Sequence, residues 1–341
     1  MEKKNLTKRV LVTGGGGSIG VHVIAHLMIN TDWEIVVIDS FRHKGFRERI
    51  DRVVMDHPKW KPRIKEIQHD LVCPISDTMR EDIGHIDIII HLAALSDVFF
   101  SVENPVYTIQ NNVNSTLMML EYARSLTDLE SFVYFSTDEV YGPAEVGQAH
   151  KEWESHRPSN SYAASKAACE DICYAYWRQY QLPIIITNTM NNFGQMQGPS
   201  KFPAIVQKKL NSGEEVDIHA HDGEVGTRFY IHSRNAADAI LFILGKGAVL
   251  HEIGQLDEPV RYNVVGEVQL SNLEIAQHIA KIMKKELKYK LVDFHSKNPA
   301  HDMHYGLDKS KLEKAGWKQP ISFEESMEDT VNWQQLNKDW L

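Results

Sequence analysis

Two rhythms alternate along the first half of the chain. Short β-branched runs read as strands: "RVLVT" (9–13), "EIVVI" (34–38), "RIKEIQH" (63–69), "IDIIIH" (86–91), "SFVYFS" (131–136) and "PIIIT" (183–187). Between them, apolar residues recur at helical spacing from Ser18 to Asn30, from about Pro105 to Arg124 and from about Asn160 to Tyr180. Strands without polar alternation are buried on both faces, and helices interleaved with them imply an α/β fold with a doubly wound parallel sheet.

After about Asn188 the rhythm loosens. "MNNFGQMQGPS" has the composition of a loop. Helices are expected near 202–211, 234–245 and 271–285, with short strands near 215–219 and 261–265 and a helical tail over 308–341. No internal repeat or low-complexity tract interrupts the chain. The reading is a first domain over 1–188, with returning segments at about 229–266, and a smaller C-terminal α/β lobe over 189–341.

Composition narrows the function classes. The 341 residues are 43% hydrophobic and 24% charged, ordinary for a globular protein. A net charge of −9 argues against a nucleic-acid partner. No apolar run approaches the roughly 20 residues of a membrane span, so no membrane partner is expected. The N-terminus "MEKKNLTKRV" passes from charged residues straight into a strand, and with three cysteines (Cys73, Cys169, Cys173) the expectation is a reduced, cytoplasmic protein. Cys169 and Cys173 stand four apart on one helix, but no further Cys or His pair is spaced to complete a metal site, so none is expected.

Chemistry starts at "TGGGGSIG" (13–20). Gly14, Gly17 and Gly20, with Ser18 and Ile19 between the last two, follow a strand and open a helix. Such a turn lets backbone approach a pyrophosphate while free N–H groups of the helix N-terminus face its charge. Asp39 ends the second strand, 19 residues after Gly20, where a ribose-binding carboxylate belongs, with Ser40 beside it. The spacing predicts a Rossmann-type dinucleotide site. A carboxylate there favours NAD; Arg42 nearby leaves NADP open. "HDL" after the third strand offers Asp70 and Leu71 to the adenine side. "HLAA" brings Leu92, Ala93 and Ala94 to the crevice edge, and Asn112 completes the cofactor set.

"YAASK" places Tyr162 and Lys166 on one helix face. An ammonium near a phenol stabilises the phenolate, which can take a proton from an alcohol while hydride leaves its carbon. "STDEVYG" sets Thr137, Asp138 and Glu139 where the fifth strand should end.

In this order, Gly14/Gly17/Gly20, Asp39, "HLAA", "STDEVYG", "YAASK" and "NNFG" resemble the extended short-chain dehydrogenase/reductases. Within them the chain is most similar to the nucleoside-diphosphate-sugar (dTDP- or UDP-glucose type) 4,6-dehydratases, over nearly its whole length. The resemblance implies oxidation at C4 of a nucleotide hexose, loss of water across C5–C6 and hydride return to C6. It implies that Thr137 holds the hydroxyl, Tyr162 takes its proton, Asp138 is the acid and Glu139 the base. Ser96, Asn191, Lys201, Arg228, Asn263, His301 and Tyr305 fall on substrate-side positions, and a homodimer through the helices near 105–124 and 160–180 is implied. Alternatives of the same superfamily are a 4-epimerase or a 5,6-dehydratase; a more remote one is a non-catalytic NAD-binding regulator. The chain departs from its look-alikes at "HLAALSDVF", at Ser18 and at Met303 and His304, which leaves nucleobase and hexose open.

One requirement follows from geometry. Neighbouring residues of an extended strand point to opposite faces. Asp138 and Glu139 can serve one substrate only if the backbone leaves strand geometry at about Thr137.

Overall fold

The computed structural model describes residues 7–43, 45–246, 257–294 and 301–341. In chain order the elements are β1 (Arg9–Thr13), α1 (Ser18–Asn30), β2 (Glu34–Asp39), α2 (Phe46–Asp56), β3 (Ile64–Gln68), α3 (Asp77–Ile83), β4 (Ile88–His91), α4 (Val98–Glu103), α5 (Pro105–Arg124), β5 (Ser131–Thr137), α6 (Ser161–Tyr180) and β6 (Ile184–Thr189). There follow β7 (Asn191–Phe193), α7 (Phe202–Ser212), β8 (Val216–His221), β9 (Glu224–Val225), β10 (Thr227–His232), α8 (Ser233–Gly245), β11 (Val260–Val264), β12 (Gln269–Ser271), α9 (Asn272–Met283), β13 (Tyr289–Asp293), α10 (Ser310–Lys314) and α11 (Phe323–Leu336).

The chain divides into two compact units. The first holds the described residues of 1–136, 161–188 and 237–262; the second holds those of 137–160, 189–236 and 263–341. The boundary thus falls inside the stretch expected to be one domain, because residues 137–160 leave the sheet and pack with the later chain.

The first unit is built on a seven-stranded sheet in the order β11-β6-β5-β4-β1-β2-β3. β1 pairs in parallel with β2 and β4, β2 with β3, and β4 with β5. This is the doubly wound Rossmann arrangement, with the order reversing between β1 and β4. All seven residues of β5 are buried, and the inner strands β1, β2 and β4 are nearly so, as their unbroken apolar runs require. Leu11, Val36, Ile89, Phe132 and Ile184 pack with Met119 and Leu120 of α5 and with Cys169, Cys173 and Trp177 of α6 in one core.

The second unit has two small three-stranded sheets, β12-β10-β7 and β13-β8-β9. β8 alternates buried and part-exposed residues, the mark of a sheet with one covered face. Val206, Val216, Ile218, Ile275, Ile279, Phe323 and Met327 form its core. Helix α9 starts on a capping box in which Ser271 and Glu274 satisfy each other's backbone amides. β7 lies in the stretch read as a loop: its three residues pair with Tyr230–His232 of β10, a partner no local pattern announces.

Candidate active site

The first unit presents the dinucleotide motif. Gly14 has φ +68, the left-handed region, and a Cβ there would sit 2.8 Å from the Ala93 backbone. A Cβ on Gly20 would run into the Gly14 carbonyl. The two glycines therefore let the β1–α1 turn, the start of α1 and the Leu92–Ala94 segment close on one another. Gly17 caps α1 without a side chain, and no acidic residue lies in the helix's first turn, which holds Ser18 and Ile19. That end of the helix carries partial positive charge and offers its first amides to an anion.

Asp39, 4% exposed, closes the turn. Its two oxygens accept from the Gly16 and Phe41 amides, both at 3.0 Å. Burial raises its pKa, and the Phe41 and Gly16 amides oppose that rise. Ser40 follows, half-buried. Arg42, the residue that left NADP open, donates to Asp70 (3.0 Å) and Asn111 (2.5 Å). Leu71 is buried beside Asp70 in sequence. The amides of Leu92 and Ala93 reach the Thr13 hydroxyl at 3.2 and 3.3 Å, and Thr13 pairs with His91 Nδ1 at 2.7 Å. Burial, with Lys166 adding to it, lowers the His91 pKa to about 3, so the ring is neutral. An uncapped helix end, close-approach glycines and a hydrogen-bonded carboxylate at the end of β2 together fit a dinucleotide with a free ribose diol.

Asn112 is tied to the segment after β4. Its amide oxygen accepts from the Leu95 and Asn111 donors, and its nitrogen donates to the Leu95 carbonyl (3.0 Å) and to Ser165 Oγ (2.9 Å). The side chain is 1% exposed, and these bonds position the segment after β4. Ser165 in turn donates to the Tyr162 carbonyl at 2.6 Å. Tyr162 is half-buried in the first turn of α6, its amide donating to Ser101 Oγ. One turn on, Lys166 is buried; its Nζ donates to the Phe135 carbonyl at 2.7 Å and stands 4.2 Å from the Tyr134 ring centre. Burial lowers its pKa to about 8.

The second unit begins at Thr137. The backbone leaves the strand there and enters a 3-10 turn over Asp138–Tyr141, with Thr137 as its cap. This is the departure that two acids on one face require. Thr137 Oγ1 donates to Asp138 Oδ1 at 3.0 Å and accepts from the Glu139 amide at 3.4 Å. Asp138 is 4% exposed, and its Oδ2 has no hydrogen-bond partner among the described residues. Burial, then the neighbouring Glu139 charge, push its pKa up to about 7. Glu139 is raised as well, chiefly by burial; the Asn160 amide, donating to Oε2 at 2.8 Å, and Arg228 oppose that rise, with Lys201 contributing less.

Arg228 on β10 lies over the Tyr305 ring, 5.3 Å from its centre, and its buried Nε has no partner among the described residues. Tyr305 is buried, and burial with the charges of Glu139 and Asp302 pushes its phenol far above the ordinary range. Lys201 stands at the start of α7 and Asn191 on β7, both half-buried. His301 packs its ring edge on Phe294. Asn263 is wholly buried; its amide nitrogen ties the carbonyls of His150 (2.9 Å) and Asp308 (3.2 Å), while its Oδ1 has no partner among the described residues. Ser96 belongs to the first unit, exposed just before α4. Asp97 next to it caps that helix through the Phe100 amide, which accounts for an acid at that departure.

Three polar residues of the acid cluster went unnoticed in the sequence: Ser159, Asn160 and Asp302. Asn160 has the look of an ordinary residue before a helix. Asp302 stands between two residues that were singled out, His301 and Tyr305, yet nothing local pairs it with Ser159, 143 positions away. The two buried cysteines are free thiols; Cys169 Sγ donates to the Asn112 carbonyl.

Comparisons with known proteins agree with this geometry. The profile of the GDP-mannose 4,6 dehydratase family matches residues 11–330. The chain is 31% identical to dTDP-glucose 4,6-dehydratase 1 of Escherichia coli K12, covering 98% of this chain and 94% of that one. Among solved structures, dTDP-glucose 4,6-dehydratase of Streptomyces venezuelae, crystallised with NAD, superposes with TM-score 0.84 at 28% identity, over 97% of this chain and 98% of that one. The UDP-glucose 4-epimerase of Thermus thermophilus, also with NAD, gives 0.80 at 26%, over 96% and 99%. With a match that spans both units, the chain belongs to the GDP-mannose 4,6 dehydratase family of extended short-chain dehydrogenase/reductases.

Proposed function

We infer that the protein is an NAD-dependent 4,6-dehydratase of a nucleoside-diphosphate hexose, converting it to the 4-keto-6-deoxy sugar. The carrying observation is the turn at Thr137, which presents two carboxyls whose environments differ. Burial raises both, but Asp138 Oδ2 has no hydrogen-bond partner among the described residues, while Glu139 accepts from Asn160 and faces Arg228 and Lys201, which oppose its rise. That difference in partners suits an acid and a base of one reaction.

We propose that the first unit binds NAD and the second the nucleotide sugar. NAD, when bound, accepts hydride from C4 and returns it to C6. Gly14, Gly17 and Gly20, with Ser18 and Ile19, would receive the diphosphate, and Asp39 the ribose. Arg42, engaged by Asp70 and Asn111, is held from a 2′-phosphate, which supports NAD over NADP. Tyr162 takes the O4 proton, with Lys166 favouring the phenolate, and the Thr137 hydroxyl, turned from Asp138 Oδ1, donates to O4. The C4 ketone acidifies C5–H, which Glu139 removes. Asp138 gives its proton to O6, and water leaves. The proton on Glu139 exchanges with solvent before Glu139 reprotonates C5. The proton left on Tyr162 and the one missing from Asp138 exchange through solvent, so the net change is loss of water alone. Arg228 and Lys201 suit the diphosphate, Arg228 through its fork of donors. We also propose a cytoplasmic homodimer; the exposed apolar side chains Phe99, Val102, Val106 and Tyr107 at the start of the α4–α5 pair support a covered face.

An epimerase needs no acid to expel the 6-hydroxyl, so the Asp138–Glu139 pair weighs against that reading. The test is turnover in deuterated water with a panel of nucleotide hexoses, read by product NMR. Expected is a 4-keto-6-deoxy sugar carrying deuterium at C5. Inversion at C4 without water loss, or no reaction with any hexose, sinks the proposal.

A further inference from the structure

Asp302 has no role in the scheme above, yet it is built into the same cluster. Both its oxygens accept from Ser159 Oγ, at 2.9 and 2.8 Å. Its amide donates to the Tyr305 hydroxyl at 3.2 Å. The next residue after Ser159 is Asn160, whose amide donates to Glu139 Oε2. Two consecutive donors, just before α6, therefore span two carboxylates from distant parts of the chain. We propose that Asp302 is a positioning residue for Glu139, a carboxylate tied through Ser159–Asn160 that keeps the base from being too weak to take a carbon-bound proton.

The physical need is plain. Glu139 is faced by the cations Arg228 and Lys201 and by the Asn160 amide, all of which stabilise its anion and weaken it as a base. Against them stand burial and the charge of Asp302. Asp138 is adjacent in sequence, and the Tyr305 phenol, held neutral, meets the charges of Glu139 and Asp302. The residues after Asp302 are Met303, which has no charge, and His304, whose Nδ1 is paired with Thr227 Oγ1 at 3.0 Å. A base whose pKa lies nearer the working pH transfers protons more effectively. Asp302 offsets the cations that the diphosphate requires.

This inference rests on Glu139 being the C5 base, and the test separates the two. kcat/KM is measured against pH for the full-length enzyme, together with wash-in of deuterium at C5. In Asp302→Asn the acid limb, set by ionisation of the base, moves down by about one pH unit, and plateau kcat falls severalfold. Ser159→Ala loosens the same charge and moves the limb in the same direction by less; it keeps the proposal testable if Asp302→Asn fails to fold, which NAD binding would reveal. In a Glu139→Gln background, adding Asp302→Asn changes the residual rate by no more than about twofold at any pH. A limb that stays in place while kcat drops overturns the proposal and leaves Asp302 a structural brace. If Glu139→Gln retains both the limb and C5 exchange, it is the assignment of the base that fails.

Discussion

Asp39 is the last residue of β2, and Asp138 is the first residue after β5; each is 4% exposed. Burial alone would give them one behaviour. Their donors give them two. Asp39 has both oxygens on backbone amides, which hold an anion in place and cost nothing in side-chain order. Asp138 has one hydroxyl on Oδ1, no hydrogen bond to Oδ2 among the described residues, and a second carboxylate next in sequence. The first is furnished to carry a charge, as the proposed ribose contact requires; the second is furnished to hold a proton, as the proposed acid requires.

Exchanging each for asparagine breaks the comparison most sharply. Asp138→Asn removes the proton donor while leaving Tyr162, Lys166 and the first unit untouched. Dehydration should fall by about 10²–10⁴-fold, the usual contribution of a positioned general acid. Oxidation at C4 should survive, visible as NADH absorbance when substrate is mixed with enzyme in single-turnover amounts. Water loss at near wild-type rate would take the acid's role away from Asp138. Asp39→Asn should do the reverse. An amide cannot accept from both the Gly16 and Phe41 N–H groups, and the lost pairing of about 1–3 kcal/mol weakens NAD by roughly ten- to a hundredfold. At saturating NAD its kcat stays close to wild type; calorimetric titration and saturation kinetics together check this.

The pH profile sharpens the same contrast with a smaller effect. An acid raised to about 7 is protonated below that pH and lost above it. kcat/KM should therefore decline as pH rises through about 7, and the residual rate of Asp138→Asn should lack that decline. With two coupled carboxyls the limb belongs to the pair. Asp39→Asn should leave its position where it was, since its carboxylate serves binding. A limb that moves with Asp39 and not with Asp138 would exchange their roles.

The same two aspartates show what a sequence can tell. Asp39 was legible because everything that defines it is local: a strand, a glycine turn and a fixed spacing from Gly20. The strand–helix rhythm of the first unit was legible for the same reason, since buried parallel strands leave unbroken apolar runs. Asp138 was named as the acid by resemblance, and the residues alone made it legible only as a demand that the backbone turn at about Thr137; the residues that surround the turn were not legible. Asn160 and Asp302 look like surface polar residues until the fold pairs them with Glu139 and Ser159. Asn112 and Asn263 show another limit: the bonds that tie each to a loop or to two buried carbonyls come from distant residues, which local sequence does not announce. β7 was missed because its pairing with β10 is long-range, and three residues carry too little periodicity to announce a strand.

Stability carries the last and smallest difference. A carboxyl whose pKa rises from 3.8 to about 7 on folding binds its proton more tightly in the native state. Between about pH 4 and 7 the folded protein holds more protons than the unfolded chain, so stability falls as pH rises through that window. By pH 8 the ionised Asp138 costs the fold as much as roughly 4 kcal/mol, which asparagine at the same place would not. Asp138→Asn should therefore melt a few degrees higher than wild type at pH 8, and the gain should vanish at pH 4. Asp39 is raised too, but its amides resist the rise, and asparagine there forfeits one of them. Asp39→Asn should bring no gain at pH 8. Thermal melts of both variants across that range decide it: equal gains would mean that the buried charge at Asp39 is as poorly supported as the one at Asp138, and that the two strand ends are not furnished for different work.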